Sequence, residues 1–214
     1  VVVDRVLASE AGTHAGGRTS FTLDVTSYVS VRGENVLCVR ADEPRGIRSL
    51  PWVSGGDSPE PGFSEGSQPL GIFRPVHLIS TARVRVTPFG VHVWNDTTVS
   101  ASQATLYLTT RVRNYDSVHG PKKLEILNLL VDADGSVRAR AQSDTVVPGG
   151  DAVEVREVFP GIFGTHLWSL PAPFLYHVTQ RVFTDGKLLD EKKTPYGIRW
   201  ISWPVGRAGT DGRF

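Results

Sequence analysis

Apolar and polar residues alternate with a period of two along much of this chain, and no stretch repeats its apolar residues at the spacing of an amphipathic helix. In Ala104 to Asn114, Leu106, Leu108, Thr110 and Val112 fall on one face, while Arg111 and Arg113 fall on the other. Lys122 to Val131 is a second strong strand pattern, turned by Asp132-Ala133-Asp134-Gly135 into Val137 to Ala141. Val153 to Phe159 follows. Phe174 to Thr184 then passes through Asp185-Gly186, a two-residue hairpin signal, into Lys187 to Lys193, and Gly197 to Trp203 ends the series. Arg83 to Thr87 and Val91 to Trp94 read as one strand interrupted at Pro88-Phe89-Gly90.

About seven short antiparallel strands within residues 82–203 predict an immunoglobulin-like β-sandwich without the Cys…Trp…Cys signature of antibody domains. The preceding residues 1–81 read differently. Val1 to Leu7, Ser20 to Val25, Asn35 to Ala41 and Val76 to Ser80 carry strand patterns, with turns at Gly16-Gly17 and Gly33. An eight-stranded jelly roll needs about twice that number, so this half-sandwich expects partner strands upstream of residue 1. Residues 43–70 form a connection of 28 residues with five prolines and no periodicity. Loops of that length are usually functional or disordered, and a loop that holds both Trp52 and Phe63 reads as ordered and reaching towards something.

Charge narrows the partners. The 23 basic and 22 acidic residues nearly cancel, and no dense basic run occurs, which argues against nucleic acid and an anionic membrane surface. No apolar run is long enough to span a bilayer as a helix. The single cysteine, Cys38, lies in an apolar alternation and reads as a small buried hydrophobe. The absence of methionine, even at position 1, suggests a segment of a longer protein.

Candidate chemistry is sparse. The six histidines show no metal-ligand spacing, and no G-x-S-x-G elbow or phosphate-cradling glycine loop occurs, so neither a metal nor another cofactor is expected. Glycosidases work with two carboxylates about 5 to 10 Å apart. Glu125, Asp132, Glu154, Glu157, Asp190 and Glu191 all read as solvated surface groups, no pair stands out, and no catalytic residue is assigned. Trp94, Trp168, Trp200 and Trp203 accompany strand patterns and read as core or interdomain packing. Trp52 instead shares its loop with Arg45, Arg48 and Asp57, a set suited either to facing a sugar or to anchoring the loop. In Gly71-Ile72-Phe73-Arg74-Pro75-Val76, Arg74 reads first as a structural arginine tying the loop base to the sheet.

Several segments in order resemble family-2 glycoside hydrolases, the β-galactosidase, β-glucuronidase and β-mannosidase group. His14-Ala15-Gly16-Gly17, then Asp24-Val25-Thr26 and Gly33-Glu34-Asn35-Val36-Leu37, are similar to the end of the family's sugar-binding jelly roll. The stretch Gly71 to Val76, with Gly71, Phe73 and Arg74, resembles its most specific short motif. Leu167-Trp168-Ser169, Pro173-Phe174-Leu175-Tyr176, Asp185-Gly186 and Gly197-Ile198-Arg199 resemble the immunoglobulin-like domain that follows, and Asp211-Gly212-Arg213-Phe214 the lead-in to the catalytic barrel.

The resemblance implies an all-β chain: residues 1–81 as the C-terminal part of the jelly roll, 82–203 as the immunoglobulin-like sandwich, and 204–214 as a linker. It places the catalytic glutamates in a (β/α)₈ barrel beyond this chain. It also implies that the long loop helps shape the sugar pocket through Asp42, Arg45, Trp52 and Asp57. The partners implied are a β-linked carbohydrate and the barrel, with homo-oligomerisation left open. A stand-alone carbohydrate-binding sandwich and a purely structural pair of protein-contact domains are the competing readings.

Overall fold

The computed structural model describes residues 2–3, 10–15, 19–42 and 71–201. The chain divides into two compact units, Val1–Leu78 and Ile79–Phe214.

The first unit carries little regular structure among its described residues. β1 (Val2–Val3) and β2 (Gly12–Thr13) pair antiparallel. The expected strands Ser20 to Val25, Asn35 to Ala41 and Val76 to Ser80 do not form, apart from isolated bridge positions at Leu37 and Arg40. A strand pattern becomes a strand only when a neighbour takes its backbone groups. Local polar contacts organise these residues instead. Asp24 Oδ1 accepts from Thr26 N at 2.9 Å and Thr26 Oγ1 at 2.6 Å. Asn35 accepts from Ser30 N at 2.8 Å and donates to Ser30 O at 2.8 Å, closing a small loop.

The second unit realises the alternation as a sandwich, except that residues 197–201 of the expected last strand, Gly197 to Trp203, form no strand and 202–203 lie outside the described residues. β3 (Val84–Asn95), β4 (Gln103–Asn114) and β7 (Ala152–Phe163) form one antiparallel sheet in the order β3-β4-β7. β5 (Lys122–Val131), β6 (Val137–Val147), β8 (Tyr176–Thr184) and β9 (Lys187–Tyr196) form the other, in the order β6-β5-β8-β9. No helix occurs among the described residues. The fold is all-β, as the alternation predicts.

Turn chemistry decides which strands pair. Gly135 takes φ +87° and donates to Asp132 O at 3.1 Å, returning β6 beside β5. The chain then crosses to the other sheet through Pro148-Gly149-Gly150, so β7 pairs with β4. Asp185 and Gly186 have φ of 47° and 75°, the left-handed pair of a two-residue hairpin joining β8 to β9. Within β3 the register slips between Val86 and Val91, so Pro88-Phe89-Gly90 forms a bulge rather than a break.

Two apolar clusters fill the sandwich. One gathers Leu106, Leu108, Leu130, Phe159, Tyr176 and Val178; the other gathers Val86, Val112, Leu124, Ile126, Val147 and Val182. Between them each of five strands turns one polar side chain inward: Thr110, Asn128, Ser143, Glu157 and Gln180. Gln180 is buried, with its amide oriented to donate to the backbone oxygens of Val178 at 3.3 Å and Lys192 at 3.1 Å.

Candidate functional site

The residues expected to face a sugar are only partly described. Asp42 is exposed and pairs with Arg40, Nε to Oδ2 at 3.0 Å. Arg45, Trp52 and Asp57, like Gly16 and Gly17, lie outside the described residues. In the signature stretch, Gly71 takes φ +94°, a conformation that favours glycine. Phe73 is exposed, and the Arg74 guanidinium lies 6.0 Å from its ring centroid. Arg74 is itself exposed, so the tie it makes among the described residues is this cation–π contact.

The sandwich has a groove of about 450 Å³ where the end of β3 meets the segment after β9. Trp94 and Asn95 come from β3, Pro195 and Tyr196 from the end of β9, Gly197, Arg199 and Trp200 from the segment beyond, and Trp168 from the β7–β8 connection. Its floor is tightly built. Trp168 N donates to Ile198 O at 2.8 Å, and Asn95 Nδ2 to Arg199 O at 3.0 Å. The Tyr196 hydroxyl donates to Asn95 Oδ1, and burial raises its pKa, which keeps the phenol protonated. A Cβ on Gly197 would lie 2.9 Å from Trp168 Cβ, Cγ and Cδ1, so only glycine allows this approach.

The indoles are engaged internally. Arg199 lies 4.8 Å from the Trp168 ring centroid, and Trp94 stacks on His92 at 4.9 Å and on Tyr107 at 5.7 Å. Trp200 is 54% exposed. Among the described residues the groove is lined with aromatic, aliphatic, amide and guanidinium groups and no carboxylate. It can take part in docking or binding, but supplies no acid–base pair.

The sandwich carboxylates serve the fold. Asp116 is buried, and Oδ2 lies 2.7 Å from His119 Nδ1 while Oδ1 lies 3.6 Å from Arg83 Nη1. The His119 side chain is the main cause that lowers the Asp116 pKa to about 2, with backbone N–H groups of His119 and Val118 adding to it. Asp190 accepts from Val86 N at 2.8 Å, and Glu191 pairs with Arg181 at 2.7 Å. Asp132 and Glu157 depart from the surface reading: Asp132 is buried and pairs with Arg138 at 3.4 Å, and Glu157 is half-buried among the inward polar residues. Cys38 departs the other way, being exposed rather than a buried hydrophobe, because no sheet covers its segment among the described residues. Among the described residues no group of three or more His, Cys, Asp or Glu is placed to hold a metal.

The sequence profile of glycosyl hydrolases family 2 matches residues 85–199, just over half of the chain. The chain belongs to this family. A Bacteroides ovatus β-galactosidase is 28% identical over 191 residues, covering 89% of this chain but 20% of the relative. A Bacteroides fragilis β-glucuronidase is 26% identical over 195 residues, covering 88% and 26%. Among solved structures, the Bacteroides uniformis β-glucuronidase superposes with a TM-score of 0.76 at 21% identity, over 94% of this chain and 24% of that one. A family-2 member from Bacteroides cellulosilyticus superposes with a TM-score of 0.73 at 24% identity, over 95% and 26%. The family-2 chain thus spans about a fifth to a quarter of the length of these relatives.

Sequence reasoning found the members of the groove singly but not the groove. Trp94, Trp168 and Trp200 are far apart in sequence, and each carries the same apolar signal as a core tryptophan. The one local clue was Gly197, whose lack of a side chain lets the segment before Arg199 lie against Trp168.

Proposed function

We propose that this chain is the non-catalytic sandwich region of a family-2 β-glycosidase of the β-galactosidase or β-glucuronidase kind, and that it shapes one side of the sugar pocket. The observation that carries this reading is the coverage: nearly nine-tenths of the chain aligns with glycosidases while spanning about a fifth of the Bacteroides ovatus β-galactosidase. On this reading residues 1–81 belong to a jelly roll whose further strands would cover the exposed apolar run of Val76, Leu78 and Ile79. Residues 82–203 are the immunoglobulin-like sandwich, and 204–214 lead towards the catalytic barrel. Reaction chemistry resides in that barrel, and the substrate is a β-linked glycoside.

The contribution of this region is positional. A rigid support holds Asp42 and the loop bearing Arg45, Trp52 and Asp57 against the barrel, where they exclude water and orient the sugar. The test is Trp52→Ala in the complete enzyme. kcat/KM on an aryl β-glycoside is expected to fall about tenfold or more, equivalent to about 1.4 kcal/mol, with the fold intact. Unchanged kinetics would remove the loop from the mechanism. The isolated 214-residue chain should show no heat of binding with millimolar galactose or glucuronate; measurable affinity would favour a stand-alone sugar-binding module.

A further inference from the structure

Thr110 from β4, Asn128 from β5, Ser143 from β6, Glu157 from β7 and Gln180 from β8 make a polar layer across the sandwich, with an apolar cluster on either side. Such a layer is costly unless its members satisfy one another. Glu157 is the only one of the five that ionises. Its Oε1 accepts from Ser143 Oγ at 2.9 Å, and its Oε2 accepts from Asn128 Nδ2. Both donors belong to the four-stranded sheet and Glu157 to the three-stranded one, so this carboxyl links the sheets through the core.

Two oxygens of the same layer, Thr110 Oγ1 and Asn128 Oδ1, are buried without a hydrogen-bond partner. A hydroxyl can rotate to donate, but an amide oxygen can only accept. Turning the Asn128 amide over sets Oδ1 where Nδ2 now meets Glu157 Oε2, and there it needs a donor, which an ionised carboxylate lacks. A protonated carboxyl has one. No neighbouring cation opposes protonation: the inward residues beside Glu157, among them Leu108, Asn128, Ala141, Ser143, Val155 and Phe159, are all uncharged. Consistent with this, burial raises the Glu157 pKa above the ordinary glutamate value, outweighing the hydrogen bonds from Ser143 and Asn128.

We propose that Glu157 is a proton-operated clasp between the two sheets: the neutral acid supplies the donor that the polar layer lacks, and ionisation withdraws it. The sign follows from linkage. A carboxyl whose folded pKa is raised adds stability that is fully present below its unfolded pKa and is lost as pH rises through the folded value. The sandwich is thus tighter in mildly acidic solution than at neutral pH. This property is independent of the role proposed for the long loop.

The test compares the 214-residue chain with its Glu157→Gln variant, which keeps the shape, carries a permanent amide donor and cannot ionise. Thermal unfolding is followed from pH 3.5 to 7.5. The variant should melt on the order of 2–4 °C above the parent at pH 7, and this gap should close as pH falls below about 4. A gap that stays constant with pH, or grows towards acid, overturns the proposal. Since the amide could perturb packing, the carboxyl carbon of Glu157 is also titrated by NMR in the unmodified protein. A midpoint above the ordinary glutamate value is expected, and a midpoint at or below it rules the clasp out.

Discussion

The segment from Val76 to Ser80 and the segment from Leu106 to Thr110 are written in nearly the same code. Both are apolar and β-branched enough to read as strand, and both end on a small hydroxylated residue. Leu106 and Leu108 are 0% and 1% exposed in the middle strand of a sheet, whereas Val76 and Leu78 are 59% and 79% exposed with no strand at all. Intrinsic propensity cannot explain the contrast. β4 has β3 and β7 to take its backbone groups and a second sheet to cover its apolar face. The residues before Ile79 have neither among the described residues. Strand propensity is mostly a statement about neighbours.

The largest effect that would break this comparison is in paired truncations. Leu106→Ala should destabilise the sandwich by about 2–5 kcal/mol, because it removes buried methyl groups and leaves a cavity. Leu78→Ala, at an exposed site, should change stability by less than about 0.5 kcal/mol. Urea denaturation of the two variants measures both. Equal losses would mean that Leu78 is buried in solution and that the contrast is false.

A smaller effect sharpens the comparison by asking what holds a segment when apolar burial does not. The loop after β4 is fixed by Asp116, which accepts from the backbone of Val118 and His119, each at 3.2 Å, and from the His119 ring. Since its folded pKa is lowered to about 2, its contribution is present above the ordinary aspartate pKa and is lost as pH falls towards 2. Asp116→Asn should therefore lower the Tm at pH 5, with a gap to the parent that narrows towards pH 2. A gap that widened towards acid would contradict the assignment. This trend is opposite to that of Glu157, and the two carboxyls bracket what one sandwich does with a negative charge.

Much of the sandwich was legible because its signals are local. The two faces of β4, the Asp185-Gly186 hairpin and the interruption at Pro88-Phe89-Gly90 can each be read within a few residues. Long-range facts were not. The turn from β5 into β6 was legible at Asp132-Ala133-Asp134-Gly135, but that β7 then crosses to β4 depends on the geometry at Gly149 and Gly150. Glu157 alternates with apolar neighbours just as a buried residue would, yet carboxylates so rarely turn inward that the pattern was read as surface. The groove escaped for another reason: its tryptophans converge only after β3 and β9 come together at the edges of their sheets.

The first unit shows the limit most plainly. Its apolar alternation was read as strand, and the structure leaves Val36, Leu37, Ile72 and Val76 exposed. A pattern specifies what a segment would do with a partner, and no residue within it says whether the partner is there.

Amide hydrogen exchange on the 214-residue chain tests that claim directly, since every described segment reports in one experiment. Backbone amides of β4, β5 and β8 should exchange on the order of a thousandfold or more slower than the unstructured rate, and those of residues 72–79 at close to that rate. Comparable protection across the two sets would mean that residues 72–79 are paired in solution, and would contradict the account.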